Sequence, residues 1–392
     1  MQSGRFIDRV FGLAARECRI LKSNPVYLLC MVVFPLFVTF LFTSLMNEGQ
    51  PQNLPIGIVD LDNTATTRKL KRTLDAFPGT KIVKRYSDVS EARRAMQHNE
   101  IYGFLLFPEG TTDKLLSARR PDISLYYSNT SLTAGSLVFK DLKTISLLGS
   151  AAVGSSTMSA KGYTQEQINT FLQPIALDFH AVNNPWVNYN IYLSTTLVPG
   201  TFFLFIFLIT AYSVGSELKH KSARKWLTMA GGNIMTALFG KLLPQFLIHM
   251  VVILIYSIYV FGILDFPHPG GIIPIMVLSL LCVLSAQGLG LFFFGIFPSM
   301  RMSMSVCSLL AVLGFSFAGT AFPVFAMDPE LEILANIFPL RHFFMIYQIS
   351  IFNGMPLADV WPNIVALLIF AVLPIFVLPR LNKAISEYVY IP

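Results

Sequence analysis

Charge is scarce in this chain. Asp, Glu, Lys and Arg make up 13% of its 392 residues, about half the share of roughly 25% carried by soluble domains. With 54% hydrophobic residues and 34 Phe, that scarcity excludes an ordinary soluble protein and points to a bilayer as solvent. Cysteine is almost missing: Cys18, Cys30, Cys282 and Cys307 are all there is. None lies between 47 and 190, so that segment is no disulfide-stapled scaffold and must hold by its own core. Metal and nucleophile motifs are absent. The six His are scattered, and no HExxH, Cys/His cluster or G-x-S-x-G occurs, which leaves no metal site and no catalytic residue to name. "FGKL" at 239–242 imitates the end of a P-loop. However, Met235 stands where the leading Gly belongs and Leu242 follows Lys241, so this motif does not bind ATP. The long apolar runs also lack the mid-membrane Asp or Glu of an ion-coupled transporter. Their polar residues are neutral: Thr210, Gln245, His249 and Gln287. Energy for any uphill transport must then enter through another chain.

What is present is apolar length. Six stretches reach the ~20 residues that cross a hydrocarbon core of ~30 Å: Val26–Leu45, Ser194–Val214, Leu242–Gly262, Ile272–Phe297, Met304–Phe322 and Val360–Leu378. The expected fold class is an α-helical membrane protein with six transmembrane helices, plus an α/β extracytoplasmic domain between the first and second spans. The basic leader of 24 residues and the long first apolar run do not fit a cleaved signal peptide. Twelve of the 29 Lys and Arg fall in 1–24, 215–232, Arg301, Arg380 and Lys383, while the short segment 263–270 has none. The positive-inside rule then places both termini in the cytoplasm, with 46–192 outside. The net charge of +7 records this asymmetry and implies no nucleic-acid partner.

Residues 1–24 read as an amphipathic helix in the inner interface. Arg5, Arg9, Arg16 and Arg19 share one side and Ile7, Phe11, Ala14, Cys18 and Leu21 the other, with arginines toward headgroups. Residues 25–45 form the first span. In 46–192, "LPIGIVD", "TKIVKRY", "YGFLLFP" and "DISLYYSN" read as strands alternating with three helices. A stalk follows: one long helix, a Gly/Ser-rich break and a second helix. Residues 193–392 hold five spans, with an outer segment, 323–359, too short to cross. Its "PLRHFFMIYQISIF" reads as a re-entrant or interfacial helix from Pro339 through Arg341 and His342, turned back at Gly354.

Between the second and third spans lies "SELKHKSARKWLTMAGG", 216–232. Two readings are open from these residues. It is a topological anchor made of basic residues, or a handle for a cytoplasmic partner, which would use Trp226 and Glu217 as well.

The arrangement resembles the membrane subunit of a type-2 ABC exporter over almost its full length. "IGIVDLDNTATTRKLKRTL" resembles the start of that family's outer domain. Residues 216–232 resemble its coupling helix, with Lys221-Ser222 where Gly-Thr is usual. "GTAFPVFAMDPELEILANIFPLRHFFMIYQISIFNG" resembles the signature before its last span. The resemblance implies a permease, not itself an enzyme, that moves an amphiphilic or lipid-like substrate outward from a bacterial inner membrane. It binds no cofactor, and ATP and Mg sit on separate cytoplasmic ATPase chains. The implied docking residues are Glu217, Lys219, Arg224, Lys225, Trp226 and Leu227. The implied substrate path uses Phe202, Phe205, Phe315, Phe317 and Phe322. A second permease chain, identical or related, completes the path, and an adaptor and outer-membrane channel are further partners the family uses. The rival reading is a membrane scaffold or envelope receptor of similar build with no ATPase.

Overall fold

The computed structural model describes residues 2–117, 119, 121–175, 178, 180 and 183–387. The chain divides into two compact units, 48–181 and the remainder. It opens with α1 (Gln2–Ser23). Asn24 then accepts a hydrogen bond from the Val26 N–H and Pro25 takes the first helical position, where its missing N–H has no intrahelical partner to lose. The first span, α2 (Pro25–Leu45), widens to a π-helical turn at Leu29–Val33.

The unit 48–181 is built on a four-stranded sheet. Its elements are β1 (Leu54–Asp60), α3 (Ala65–Asp75), β2 (Thr80–Tyr86), α4 (Val89–Gln97), β3 (Gly103–Phe107), α5 (Thr111–Leu116), β4 (Ser124–Tyr127), α6 (Leu132–Ala160) and α7 (Gln165–Leu172). The order is β2-β1-β3-β4, with β1 parallel to both neighbours and β4 antiparallel. Both faces of the sheet are covered, as a buried parallel sheet requires. Ile56, Ile58, Leu105 and Phe107 pack with Leu74, Val138 and Leu142 of α3 and α6. Val59, Tyr86 and Phe104 pack with Ala92 and Ala95 of α4. Two helix starts on the sheet are capped by side chains: Thr64 and Thr67 form a capping box for α3, and Asp88 accepts from the Glu91 N–H in α4. The Gly/Ser stretch 149–159 does not break α6. The break comes at Gly162, whose φ is +84°, a conformation that glycine adopts without a Cβ penalty.

Two carboxylates make this unit acid-sensitive. Asp60 is buried, which raises its pKa, yet Lys71 at 2.7 Å, the Asn63 N–H and Thr67 hold it below the ordinary aspartate value. Glu91 is held at about 2 by the Ser87 N–H, Lys84 and the Ser87 hydroxyl. A depressed carboxylate contributes stability that is fully present above its unfolded value, about 4.3 for Glu, and is lost as pH falls toward the folded one. The fragment 50–175 is therefore expected to unfold cooperatively, unaffected by reductant, with a melting temperature that drops between pH ~4.3 and ~2. Glu91→Gln should flatten that drop in circular dichroism melts. Equal slopes for the two proteins would remove Glu91 from the account.

The other unit holds α8 (Tyr189–Lys219), α9 (Ala223–Met229), α10 (Ile234–Ile263), α11 (Ile272–Ile296), α12 (Met300–Phe317), α13 (Pro329–Ala335), α14 (Pro339–Ile346) and α15 (Leu357–Glu387). With α2, five of them are long and apolar enough to cross a membrane: α8, α10, α11, α12 and α15. The protein is thus a six-span helical membrane protein carrying an α/β domain. α8 and α11 are the central pair, and small residues let the backbones approach. A Cβ at Gly290 would stand 3.0 Å from the Phe207 carbonyl, the kind of close crossing small residues allow between membrane helices. Several helices overrun the apolar stretches. α8 begins at Tyr189, capped by Asn188, and runs to Lys219. α10 begins at Ile234 behind Asn233, whose side chain accepts from Met235 and Thr236. α12 begins four residues before the expected Met304 and ends at Phe317, ahead of Gly319 with φ +96°.

Candidate functional site

The polar chemistry of the helical unit is concentrated at the end that carries α1, α9 and the start of α10. α1 lies on α10 through Leu13, Ala14, Glu17 and Leu21, which are buried. These residues recur at helical spacing and define one face. Gly240 makes the fit possible, since a Cβ there would come 2.5 Å from the Leu13 Cβ. Phe6, Ile7 and Phe11 stay exposed on another face. This corrects the expected two-sided pattern in part. The protein-facing stripe is distinct from the apolar one, and Arg16 turns inward to a carboxylate instead of outward to headgroups. Arg9 and Arg19 are exposed, and the side chain of Arg5 lies outside the described residues.

That carboxylate is Glu217, in the last turn of α8. Arg16 grips it with both terminal guanidinium nitrogens, at 2.7 and 2.9 Å, the fork geometry that makes Arg–carboxylate pairs strong. Lys241 of α10 donates to Glu217 at 2.9 Å and to Glu17 at 2.8 Å. Its ammonium also sits 5.4 Å from the ring centroid of Trp226, within cation–π range. Gln245 Nε2 donates to Glu17 at 2.9 Å, and the Ser222 hydroxyl donates to Glu217. Lys241, Glu17 and Glu217 are each no more than 2% exposed. Two carboxylates face two cations, so the cluster is neutral. Its hydrogen bonds meet the condition under which buried charges persist. Four helices meet here: α1, α8, α9 and α10.

The segment 216–232 therefore has an inner and an outer side. Ala223, Trp226 and Ala230 point inward, with Trp226 1% exposed. Lys219, Arg224, Lys225, Thr228 and Met229 are exposed, and Leu227 is half-buried. Arg224 Nε donates to the Ser386 carbonyl of α15 at 3.1 Å. Of the six residues expected to dock, Glu217 and Trp226 cannot act as surface contacts, because the chain's own helices enclose them. The other four are accessible. The sequence alone does not pair Lys241 with Glu17. Their one sequence signal was a lysine inside an apolar run and a glutamate on the apolar side of a basic helix.

The five expected path aromatics do not share one cavity. Phe202 and Phe205 line a space of about 10 Å3 with His249 and Pro35. Phe315 lies against Gly200, Phe317 stacks on Phe338 at 4.9 Å, and Phe322 is exposed. The segment 323–359 folds back as α13 and α14, and α14 passes into a π-helical turn at Tyr347–Phe352. It is more deeply packed than an interfacial helix, with Leu340, Phe343, Ile346 and Ile351 in the core. Pro339 starts α14, Arg341 donates to the Ala318 carbonyl at 3.2 Å, and Gly354 turns the chain with φ +73°. His342 is buried. Its Nε2–H donates to the Asn336 carbonyl and its Nδ1 lies 2.9 Å from Asn363 Oδ1. Arg341 and His342 thus tie the turn to the ends of α12 and α13 and to α15.

Comparison with known proteins agrees with this architecture. The family model described as "ABC-2 family transporter protein" matches residues 25–378. The linearmycin resistance permease protein LnrN of Bacillus subtilis (strain 168) is 19% identical over 379 residues, covering 93% of this chain and 97% of that one. Six apolar helices, an inserted α/β domain and a family match over most of the length lead to one conclusion: the chain belongs to the ABC-2 family of transporter proteins, as a membrane-spanning transport permease.

Proposed function

We propose that the protein is the permease of an ATP-driven exporter in a bacterial inner membrane, with both termini and 216–232 in the cytoplasm and the α/β unit outside. Two permease chains, identical or related, and two ATPase chains make the working complex. ATP and Mg bind the ATPases, since this sequence has no nucleotide motif of its own. The substrate is an amphiphilic or lipid-like compound. The relative is named for resistance to linearmycin, and removal of a compound is one way to resist it. A periplasmic adaptor and outer-membrane channel would extend the route beyond the membrane.

One observation carries this reading. The segment 216–232 joins the end of α8 to the short helix α9; its inner side is fixed to a buried charge cluster and its outer side presents Lys219, Arg224, Lys225 and Met229. A helix held so firmly from behind passes a push on its outer face directly to α1, α8 and α10. Cations on its rim suit an acidic groove and set encounter rate and partner choice.

The test is charge reversal on the outer face. Lys219→Glu with Lys225→Glu is expected to insert normally and to lose about tenfold or more in affinity for the ATPase, because like charges across an interface are strongly unfavourable. Co-purification and permease-stimulated ATP hydrolysis in nanodiscs read this out. If the double variant binds and stimulates as the wild type does, the segment is an anchor. If no ATPase co-purifies with the wild type, the scaffold reading gains.

A further inference from the structure

A second site lies away from the charge cluster. α10 and α15 both pack on α11, leaving between them a groove of about 420 Å3, within the ~300–1,000 Å3 of ligand sites. Its origin is local. Gly288 of α11 lets α15 approach so closely that a Cβ there would strike the Phe370 carbonyl. Just beyond, α15 breaks at Leu373 and Pro374. Pro374 has no N–H to return to that carbonyl, and a helix bends at such a point.

The groove has the depth of one leaflet. On α10 it runs from Phe246, near the middle of the helix, to Met235 near its start. Eleven residues at 1.5 Å make ~16 Å, against ~15 Å for half of a ~30 Å hydrocarbon core. α11 agrees, with the lining running from Leu284 at its middle toward Leu291. So does α15, from Ala371 to Leu378. All three run toward the same end of the bundle, where Asn233 caps α10.

The walls accept hydrocarbon and little else. Gln287 is the one polar side chain among the lining residues, and its Nε2 points to the Leu242 carbonyl at 3.4 Å. Beyond the open end the chemistry changes. Arg380 and Lys383 follow Leu378 on α15, both exposed, and α9 brings Arg224 against Ser386. The acid at this rim is Glu387, 3.9 Å from Lys383. An apolar slot one leaflet deep, under a cationic rim, matches an acyl chain below an anionic headgroup.

We propose that this groove holds an acyl chain of one anionic phospholipid of the adjoining leaflet, with its phosphate at Arg380 and Lys383. The site does not depend on the exporter reading. It faces the bilayer and needs neither an ATPase nor a second permease.

Native mass spectrometry of the purified full chain, released from mild detergent, tests it with two probes. Dipalmitoyl phosphatidylglycerol is expected to bind as one molecule per chain, about tenfold or more tighter than dipalmitoyl phosphatidylcholine. Val372→Trp and Leu243→Trp fill the slot from opposite walls at exposed positions, where the fold tolerates a larger apolar side chain. Each should lose the phosphatidylglycerol adduct by about tenfold or more. Arg380→Gln with Lys383→Gln should erase the preference for phosphatidylglycerol while keeping the phosphatidylcholine adduct. Dioctanoyl phosphatidylglycerol should bind more weakly than the dipalmitoyl lipid. The proposal is overturned if the Trp variants retain the adduct at the wild-type melting temperature. It is equally overturned if both headgroups bind alike, which is the behaviour of an ordinary lipid annulus. Equal binding of the short-chain lipid would leave a headgroup site without an acyl slot and would also defeat it.

Discussion

Lys241→Met is expected to destabilise the helical unit by about 3–5 kcal/mol, the range for breaking a buried ion pair by removing one partner. The substitution keeps an unbranched stem, so little packing changes. What changes is charge. Lys241 donates to Glu17 and Glu217 at 2.8 and 2.9 Å. Without it Arg16 still serves Glu217, but Glu17 retains only the amide of Gln245. An almost fully enclosed carboxylate is then left without a cation. Thermal unfolding in detergent should show the loss, and the double variant Glu17→Gln/Lys241→Met should recover most of it, because neutrality returns. A single variant within about 1 kcal/mol of wild type would mean that water reaches the cluster and screens it.

Trp226→Ala carries the second large effect, about 3–5 kcal/mol for truncating a large buried aromatic. The indole fills the space between α9 and the helices beneath it, and its face sits over Lys241. Trp226→Phe keeps much of the volume and part of the cation–π attraction, so it should cost far less. The pair also separates two roles. An interface anchor would lose about 2 kcal/mol or more of partner binding on truncation, and even Phe would bind measurably worse. A core residue leaves affinity intact in Trp226→Phe while melting temperature falls slightly. The structure favours the second pattern. Melting curves and ATPase pull-down on the same preparations decide it, and a Phe variant that melts as wild type but binds poorly would restore the anchor role.

Much of the architecture was legible because its signals are long. Six apolar runs, and four strands rich in β-branched residues, are patterns summed over many positions. The site was less so, because its meaning depends on which way single side chains turn. Trp226 and Glu217 are residue types that serve interfaces and enclosed charge clusters equally well. Their sequence neighbours do not say which. Lys241 looked like the edge of a span because a lysine in hydrocarbon is costly. Its two carboxylate partners come from helices far away in the chain, and pairing removes the objection. Arg16 shares a helical side with the other arginines, so spacing alone turns it outward. Helical spacing gives its face, and only Glu217 decides what that face meets. The groove was invisible for a different cause. It follows from Gly288 and Pro374 acting together, and neither residue carries the signal alone.

The charge cluster also sets an order of assembly. Glu17 and Lys241 are 224 residues apart in sequence, and Arg16 and Glu217 are 201 apart. At about 5–20 residues per second, the ribosome needs roughly 10–45 s between making Glu17 and making its ammonium partner. During that interval α1 has an arginine and a glutamate without their later partners, and its exposed Phe6, Ile7 and Phe11 suit it to wait at the membrane surface. It can be seated only after the third span has entered the bilayer. α1 is made before its partners and placed after them, so its seat exists only once synthesis has passed the start of α10.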